Sequence, residues 1–256
     1  MQPDASGNGE IAPLRRLIAA SERVVALTGA GISTESGIPD FRGPGGVWTR
    51  MKPITYQNFV ASEEARLEDW RRRFAMVERF AGAEPNAGHR GLVLLAQGGR
   101  LHTLITQNID GLHQRSGFPD GRLIEIHGNV THGRCLQCRA PMTLPAARKI
   151  IDATATSPRC SCGGLVKAAI ISFGERMPED AMRRAQQATA NADLFLVVGS
   201  SLQVQPAASL PIIAKRSGAR LAIINREATP IDSLADLVLR QAIGTVFSRL
   251  YPQLVD

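Results

Sequence analysis

His127 closes an apolar run, Leu123-Ile124-Glu125-Ile126, and is followed at once by Gly128. A neutral imidazole titrates near physiological pH, so a histidine delivered at the end of a buried strand can act as a general base. A second apolar run, Leu101 to Thr106, ends in Gln107-Asn108-Ile109-Asp110 and leads on to His113. Two amides and a carboxylate then sit on a loop directly after a strand, where side chains can meet a ligand. His113 and His127 therefore stand apart from His89, His102 and His132, which have no such neighbours and are expected to be surface or packed histidines.

A third run, Val24-Val25-Ala26-Leu27, opens into Thr28-Gly29-Ala30-Gly31-Ile32-Ser33. A strand ending in Gly-x-Gly is the start of a dinucleotide-binding turn. Thr34 stands where the dehydrogenase fingerprint has its third glycine, and Glu35, Asp40 and Arg42 follow. A hydride-transferring enzyme would need that glycine, and an acidic residue about 20 positions on at the next strand end. Neither is found, so the stretch predicts phosphate binding without hydride transfer.

All four cysteines lie within 28 residues, as Cys135-x-x-Cys138 and Cys160-x-Cys162 separated by 21 residues. Two close thiol pairs at that distance can place four sulfurs tetrahedrally around one Zn²⁺. In a chain expected to be cytoplasmic, a metal site is favoured over disulfides, and also over four unligated thiols. The one-residue spacing of the second pair demands a tightly bent loop, which Gly163-Gly164 can supply. Four protein ligands leave no open position, so the metal is expected to be structural.

The elements that must position these groups are read from hydrophobic patterning. Strand-like runs recur at Val24 to Thr28, Leu101 to Thr106, Leu123 to Ile126, Leu194 to Gly199, Arg220 to Asn225 and Leu237 to Leu239. Helix-like segments at Leu14 to Ser21, Glu63 to Phe80, Ala87 to Gln97, Glu179 to Ala190 and Pro206 to Ser217 lie between most of them. The alternation predicts an α/β fold with a mainly parallel sheet. Ligands of such sheets bind beyond the carboxyl ends of the strands, which marks Thr28-Gly29-Ala30, Thr106-Gln107-Asn108, Gly199-Ser200-Ser201 and Asn225-Arg226-Glu227 as the candidate site. Two segments break the alternation: residues 44–82, mostly helical, and 132–167, which holds the cysteines and shows little periodicity. They are expected to form a smaller domain inserted into a large part made of residues 11–43, 83–131 and 168–256.

With 256 residues, 44% hydrophobic and 21% charged, the chain has the composition of an ordinary folded protein. No apolar run reaches the ~20 residues that span a bilayer, and Met1 to Glu10 is polar and acidic, so a cytoplasmic protein with no membrane partner is expected. The net charge of +7 fits a nucleic acid, an acidic ligand such as a dinucleotide, or nothing specific. No aromatic interleaving supports base stacking, and Arg71-Arg72-Arg73 reads as the solvated side of a helix, so no nucleic acid is required. Nothing in the sequence sets the oligomeric state, and a monomer is compatible with it.

Taken together, these motifs resemble the sirtuins, NAD-dependent protein-lysine deacylases, from about Ala19 to the C-terminus. The resemblance rests on GAGIS and GIPDFRG (Gly29 to Gly43), TQNIDGLH (Thr106 to His113), IHG (Ile126 to Gly128), the four cysteines, FGE (Phe173 to Glu175), GSSL (Gly199 to Leu202) and Ile224 to Glu227. Pro53 to Phe74, PNAGH (Pro85 to His89) and GSSLQV are similar to the class II branch. GPGGVW (Gly43 to Trp48), SGFP and FGER are similar to the branch with nuclear ADP-ribosylating and deacylating members.

The resemblance implies a Rossmann-like large domain and a smaller zinc-ribbon and helical domain, with NAD and an acyl-lysine protein or peptide meeting in the cleft between them. It implies that NAD is consumed, the acyl oxygen attacking the nicotinamide ribose and the acyl group ending as O-acyl-ADP-ribose. His127 would be the general base that activates a ribose hydroxyl, with Asn108 beside it at the reacting centre. Gly29, Ala30, Gly31 and Ser33 would hold the pyrophosphate through backbone N–H groups. Ile38, Asp40, Phe41 and Arg42 would lie in the cofactor loop, with Phe41 shielding the ribose. Gln107, Asn108, Ile109 and Asp110 would surround the ribose and carboxamide. Gly199, Ser200, Ser201, Asn225, Arg226, Glu227 and Ile243 would take the adenosine half. Phe173, Gly174, Glu175, Leu202 and Val204 would lie on strands that receive the peptide by β-augmentation. Lys167-Ala168 departs from the common basic-Pro pair, and no Tyr-x-x-Arg pair of the kind that selects acidic acyl groups is present between Glu63 and Phe80. Two alternatives remain: mono-ADP-ribosylation on the same fold, and a zinc-ribbon nucleic-acid-binding protein, which would leave His127 without a purpose.

Overall fold

Each of the six apolar runs forms a strand, and all six join one sheet. The computed structural model describes residues 8–41, 43, 46 and 51–254; Arg42, assigned above to the cofactor loop, lies outside them. In chain order the elements are α1 (Asn8–Ala19), β1 (Val24–Thr28), α2 (Tyr56–Ala61), α3 (Glu63–Ala81), α4 (Ala87–Gln97), β2 (Leu101–Thr106), α5 (Leu112–Arg115), β3 (Leu123–Glu125), β4 (Gly128–Cys135), β5 (Pro141–Thr143), α6 (Leu144–Thr154), β6 (Val166–Ile170), α7 (Glu179–Ala190), β7 (Leu194–Val198), α8 (Leu210–Arg216), β8 (Arg220–Ile224), β9 (Leu237–Leu239) and α9 (Ile243–Leu250). The large sheet runs β3-β2-β1-β7-β8-β9, and every pairing in it is parallel.

A parallel sheet buried on both faces needs apolar side chains pointing both ways. In β1, Val24 and Ala26 enter one core with Leu14, Leu92 and Phe247. Val25 and Leu27 enter the other with Met182, Ala185, Leu210 and Ala214. Helices α1, α4 and α9 thus cover one face, and α7 and α8 the other. Each fully buried Val or Leu contributes about 1.5–3 kcal/mol, which is why these continuous runs are strands in the centre of the molecule.

The second sheet, β5-β4-β6, is antiparallel. Its core gathers Trp70 and Phe80 from α3 with Val130, Ala147 and Val166. Trp70 is fully buried and donates its indole N–H to Val166 O at 3.3 Å. The cysteine-bearing segment is therefore more regular than its sequence suggests, since it also holds β5 and α6. Helix α6 is started by Thr143, whose hydroxyl accepts from Ala146 N at 3.3 Å, with Pro145 in its first turn. Among the described residues, no helix is long and apolar enough to cross a membrane.

Candidate active site

The strand order reverses between β1 and β7, the switch point at which open α/β sheets leave a crevice. A cavity of about 680 Å³ opens there. Three glycines let the two strand tips touch. A Cβ on Gly31 would lie 2.8 Å from Gly199 Cα, and one on Gly199, whose φ is +67°, would lie 2.3 Å from Ile32 N. The N–H of Gly29 donates to Val198 O (3.2 Å) and that of Gly31 to Gly199 O (2.8 Å). Two of the loop's N–H groups thus join β1 to β7. The glycines are needed for close approach of backbone.

The loop continues as a 3-10 turn, Ala30–Ser36, and here one of the charged residues has a structural use. Glu35 accepts from Gly244 N at 3.0 Å, placing a carboxylate at the N-terminus of α9, where the helix dipole favours it. Deeper in, Ser33 Oγ donates to Asp110 Oδ2 at 2.8 Å, and Asn108 Nδ2 reaches both Gly29 O and Ser33 Oγ at 3.2 Å. Burial raises the Asp110 pKa above its ordinary value, against hydrogen bonds from Leu112 N and Ser33 that lower it. β1 and β2 are tied at their tips by Thr28 Oγ1, which donates to Thr106 Oγ1 at 2.8 Å.

His127 is half-buried and faces the cavity. Its Nδ1 lies 3.0 Å from Gln107 O. A carbonyl can only accept, so Nδ1 carries a proton, and in the neutral ring the lone pair is on Nε2. Gln107 is itself held by bonds from its side chain to Ser200 Oγ (2.8 Å) and Thr28 O (3.2 Å). The following glycine is required: Gly128 has φ +73°, and a Cβ there would fall 2.1 Å from Ala169 O. On the other side, Ile171 N donates to His127 O at 2.9 Å. His113, in contrast, is buried behind the strand tips and packs on His89 with ring centroids 4.9 Å apart. His113 thus does not meet the cavity, and His89 does have a companion.

The expected site residues Gly29, Ala30, Gly31, Ser33, Ile38, Asp40, Phe41, Gln107 to Asp110, His127, Phe173 to Glu175, Gly199 to Ser201, Val204, Asn225 and Glu227 line this one cavity. Arg226 and Ile243 instead line a small adjoining recess of about 40 Å³, which shares Gly31, Asn225 and Glu227 with the main cavity. Leu202 is buried outside the lining, with φ +53°.

The two segments expected to receive a peptide are not regular strands. Residues 173–175 form a turn in which Glu175 N bonds back to Ser172 O (3.0 Å) and Gly174 has φ +79°. The carbonyls of Phe173 and Gly174 accept from Tyr56 N (2.8 Å) and Gln57 Nε2 (3.3 Å) of α2. The Glu175 carboxylate turns inward, accepting from Ser172 N at 2.9 Å and pairing at 2.9 Å with Lys167, whose side chain is 2% exposed. Burial lowers the Lys167 pKa while Glu175 opposes the shift.

Helix α3 contributes lining residues that the reading of its arginines as solvated did not foresee. Met76, Arg79 and Phe80 face the cavity together with Arg71, Arg72 and Arg73. Arg71 and Arg72 share Glu68 (both 2.6 Å) in a partly exposed cluster, and Arg73 bonds Asp69 (2.8 Å) in a largely buried pair. The spacing 72, 76, 80 on one helix face was the available signal.

The four cysteine sulfurs lie within 4.8 Å of one another, with Cys135–Cys162 and Cys138–Cys160 both at 3.6 Å. Ligands about 2.3 Å from a tetrahedral zinc stand roughly 3.8 Å apart, so the donor set fits that ion. Backbone N–H groups of Cys138 (3.5 Å) and Gln137 (3.4 Å) point at Cys135 Sγ and lower its pKa to about 6, favouring the thiolate a metal needs.

The Sir2 family model matches residues 29–206. The chain belongs to the Sir2 family. An NAD-dependent protein deacetylase of Bradyrhizobium diazoefficiens is 54% identical over 229 residues, spanning 89% of this chain and 90% of that one. One from Rhodopseudomonas palustris is 52% identical over the same length, again covering 89% and 90%. A solved Sir2 structure with a deacetylated p53 peptide and 3′-O-acetyl-ADP-ribose superposes with a TM-score of 0.87 at 36% identity, covering 95% of this chain and 98% of that one. The Sir2 fold therefore sets the frame for the buried Lys167–Glu175 pair, and Lys167→Met should show its worth. The change strands a carboxylate and is expected to lower stability by about 3 kcal/mol, whereas Lys167→Met with Glu175→Gln should recover much of that loss in chemical unfolding.

Proposed function

We propose that this Sir2 protein removes acyl groups, acetyl foremost, from protein lysines at the expense of NAD and one water molecule, releasing nicotinamide, O-acyl-ADP-ribose and free lysine. The observation that carries this reading is the His127 imidazole, its tautomer set by Gln107 O, in one cavity with the Gly29–Gly31 turn and with Asn108 and Asp110. The related NAD-dependent protein deacetylases, and the related Sir2 structure holding a deacetylated peptide with 3′-O-acetyl-ADP-ribose, support it. NAD supplies the electrophilic ribose carbon that the acyl oxygen attacks. Asn108 and Asp110, braced by Ser33, hold the ribose and carboxamide; Ile38 and Ile109 form apolar walls and Phe41 covers the ribose. His127 Nε2 takes the proton of a ribose hydroxyl so that the hydroxyl can attack the acyl carbon.

Asn225 to Glu227, Gly199 to Ser201 and Ile243 form the adenosine end, where the small recess continues the cavity. Phe173 to Glu175 and Val204 receive the peptide, Glu175 through the shape it gives the turn. Cys135, Cys138, Cys160 and Cys162 hold one structural Zn²⁺, and their need for reduced thiols supports a cytoplasmic location. The two insertions, 44–82 and 132–167, make up the smaller domain. Arg73 is held by Asp69, and Arg72 shares Glu68 with Arg71, engagements that favour a short neutral acyl group over an acidic one. Incubation with NAD and an acetyl-lysine peptide should give nicotinamide and O-acetyl-ADP-ribose by mass spectrometry. No product from peptides of any acyl length would overturn the proposal.

A further inference from the structure

Behind the strand tips, two imidazoles are buried outside the cavity. His89 is 0% and His113 1% exposed. His89 Nε2 and His113 Nδ1 are buried without a hydrogen-bond partner. Burial lowers both pKa values, that of His89 to about 4, with Arg90 adding to the shift, so both rings are neutral.

Their protons can be placed by counting donors and acceptors. His89 Nδ1 accepts from Asn86 N at 3.3 Å as part of the cap of α4, which puts the His89 proton on Nε2. Thr28 gives its only hydroxyl proton to Thr106 Oγ1 at 2.8 Å. Its oxygen, 2.9 Å from His113 Nε2, can then only accept, so the His113 proton is on Nε2 and its lone pair on Nδ1. The two rings pack tilted against each other, with centroids 4.9 Å apart and an interplanar angle of 56°. On the far side, Thr106 Oγ1 also accepts from Asn108 N at 3.0 Å. A chain of hydrogen bonds thus runs from His113 through Thr28 and Thr106 to the backbone of Asn108, whose side chain holds Gly29 O and Ser33 Oγ.

We propose that His113 is a positioning residue: held against His89, it orders the Thr28 and Thr106 hydroxyls and so fixes Asn108 in the NAD-facing site. Asn108's part rests on the function proposed above. A core histidine serving only to fill space would have no reason to end a hydrogen-bond chain that runs through two threonine hydroxyls to the backbone of Asn108. Nor would the N–H of a presumed ligand-holding residue end on a threonine that this histidine orients.

The test compares His113→Phe, His113→Gln and Thr28→Val, assayed well below their melting temperatures. Phe keeps the volume and loses the donor, Gln keeps an N–H donor at similar reach, and Val removes the central hydroxyl. His113→Phe and Thr28→Val should each lower kcat/KM for NAD by roughly tenfold, with KM for the peptide unchanged. His113→Gln should recover most of that loss, and the Phe–Val double variant should be no worse than Thr28→Val alone. Wild-type kinetics in Thr28→Val, or equal kinetics in His113→Phe and His113→Gln, would overturn the assignment, and Thr28→Val reads the chain even if His113→Phe does not fold. In ¹⁵N NMR of the wild-type protein both rings should be neutral Nε2–H tautomers; a Nδ1–H or doubly protonated His113 would also overturn it. If the wild-type protein turned over no acyl peptide, the functional reading would fail, while the NMR result and NAD affinities of the variants would still judge the positioning role.

Discussion

His127→Ala is expected to lower acyl-lysine turnover by roughly 10²–10⁴-fold, the usual contribution of a positioned general base. Affinity for NAD should change little, because the ring is anchored on Gln107 O and the Gln107 side chain keeps its own bonds to Ser200 and Thr28. The fold should also survive. His127 is half-buried, so water can take the place of its N–H on the Gln107 carbonyl, and the backbone bond from Ile171 N to His127 O does not involve the side chain. The result sharpens with the step at which proton transfer occurs. In the proposed sequence the base acts after nicotinamide has left, so exchange of labelled nicotinamide into NAD, in the presence of acyl peptide, should persist in the variant. Loss of exchange and of deacylation to the same degree would place His127 in NAD cleavage itself, and retention of both would remove it from the chemistry.

The parts of this site that were legible in the sequence are those whose cause is local. Strand β1 ends at Thr28 because its apolar run ends there, and the Gly29-x-Gly31 turn follows because two strand tips must touch. Cys135 to Cys162 announce themselves by spacing, and His127 by its place at a strand end. Long-range partners were not legible. Glu35 and Gly244 are 209 positions apart, and nothing around Glu35 distinguishes a helix-capping carboxylate from a ligand-binding one. His113 looked like a site residue because it follows Asp110 in the chain. Only the three-dimensional packing on His89, and the bond to Thr28 across 85 positions, shows that it faces away from the cavity. Arg72 and Arg73 read as solvated because charge is usually exposed, yet Glu68 and Asp69, one turn earlier on α3, hold them in partly and largely buried pairs, Glu68 being shared with Arg71. The turn at Phe173 to Glu175 escaped notice for the opposite reason. Its apolar lead-in, Ala168 to Ile171, argues for a strand, and the Gly174 φ and the Lys167 partner that end it are properties of the folded chain.

Stripping the metal, or replacing Cys135 by Ser, is the second change expected to have a large effect: near-complete loss of activity with the large sheet still folded. Cys135 ends β4 opposite Val166 of β6, and the buried core of the small sheet is built from the same two strands and Trp70. Apparent zinc binding of about 10–16 kcal/mol in small four-ligand domains is folding free energy for the segment that supplies the ligands. The knuckle tolerates little distortion: Gly163 has φ +86°, and a Cβ on Gly164 would stand 2.6 Å from Cys135 Sγ and 3.3 Å from Cys162 Sγ. Without the ion, four sulfurs crowded within 4.8 Å must separate. The disturbance has a short path to the chemistry, because β4 starts at Gly128, next to His127, and β6 leads into Ile171, which holds His127 O. The two apolar clusters that flank the large sheet contain none of these residues and should hold it together. The wild-type protein is therefore expected to carry one zinc per chain by atomic absorption. After chelation it should lose deacylation and the native environment of Trp70 in fluorescence, with most helical circular dichroism retained, and regain activity when zinc is restored. Full activity in a metal-free preparation would show that the small sheet stands without the ion and that the cysteines have another role.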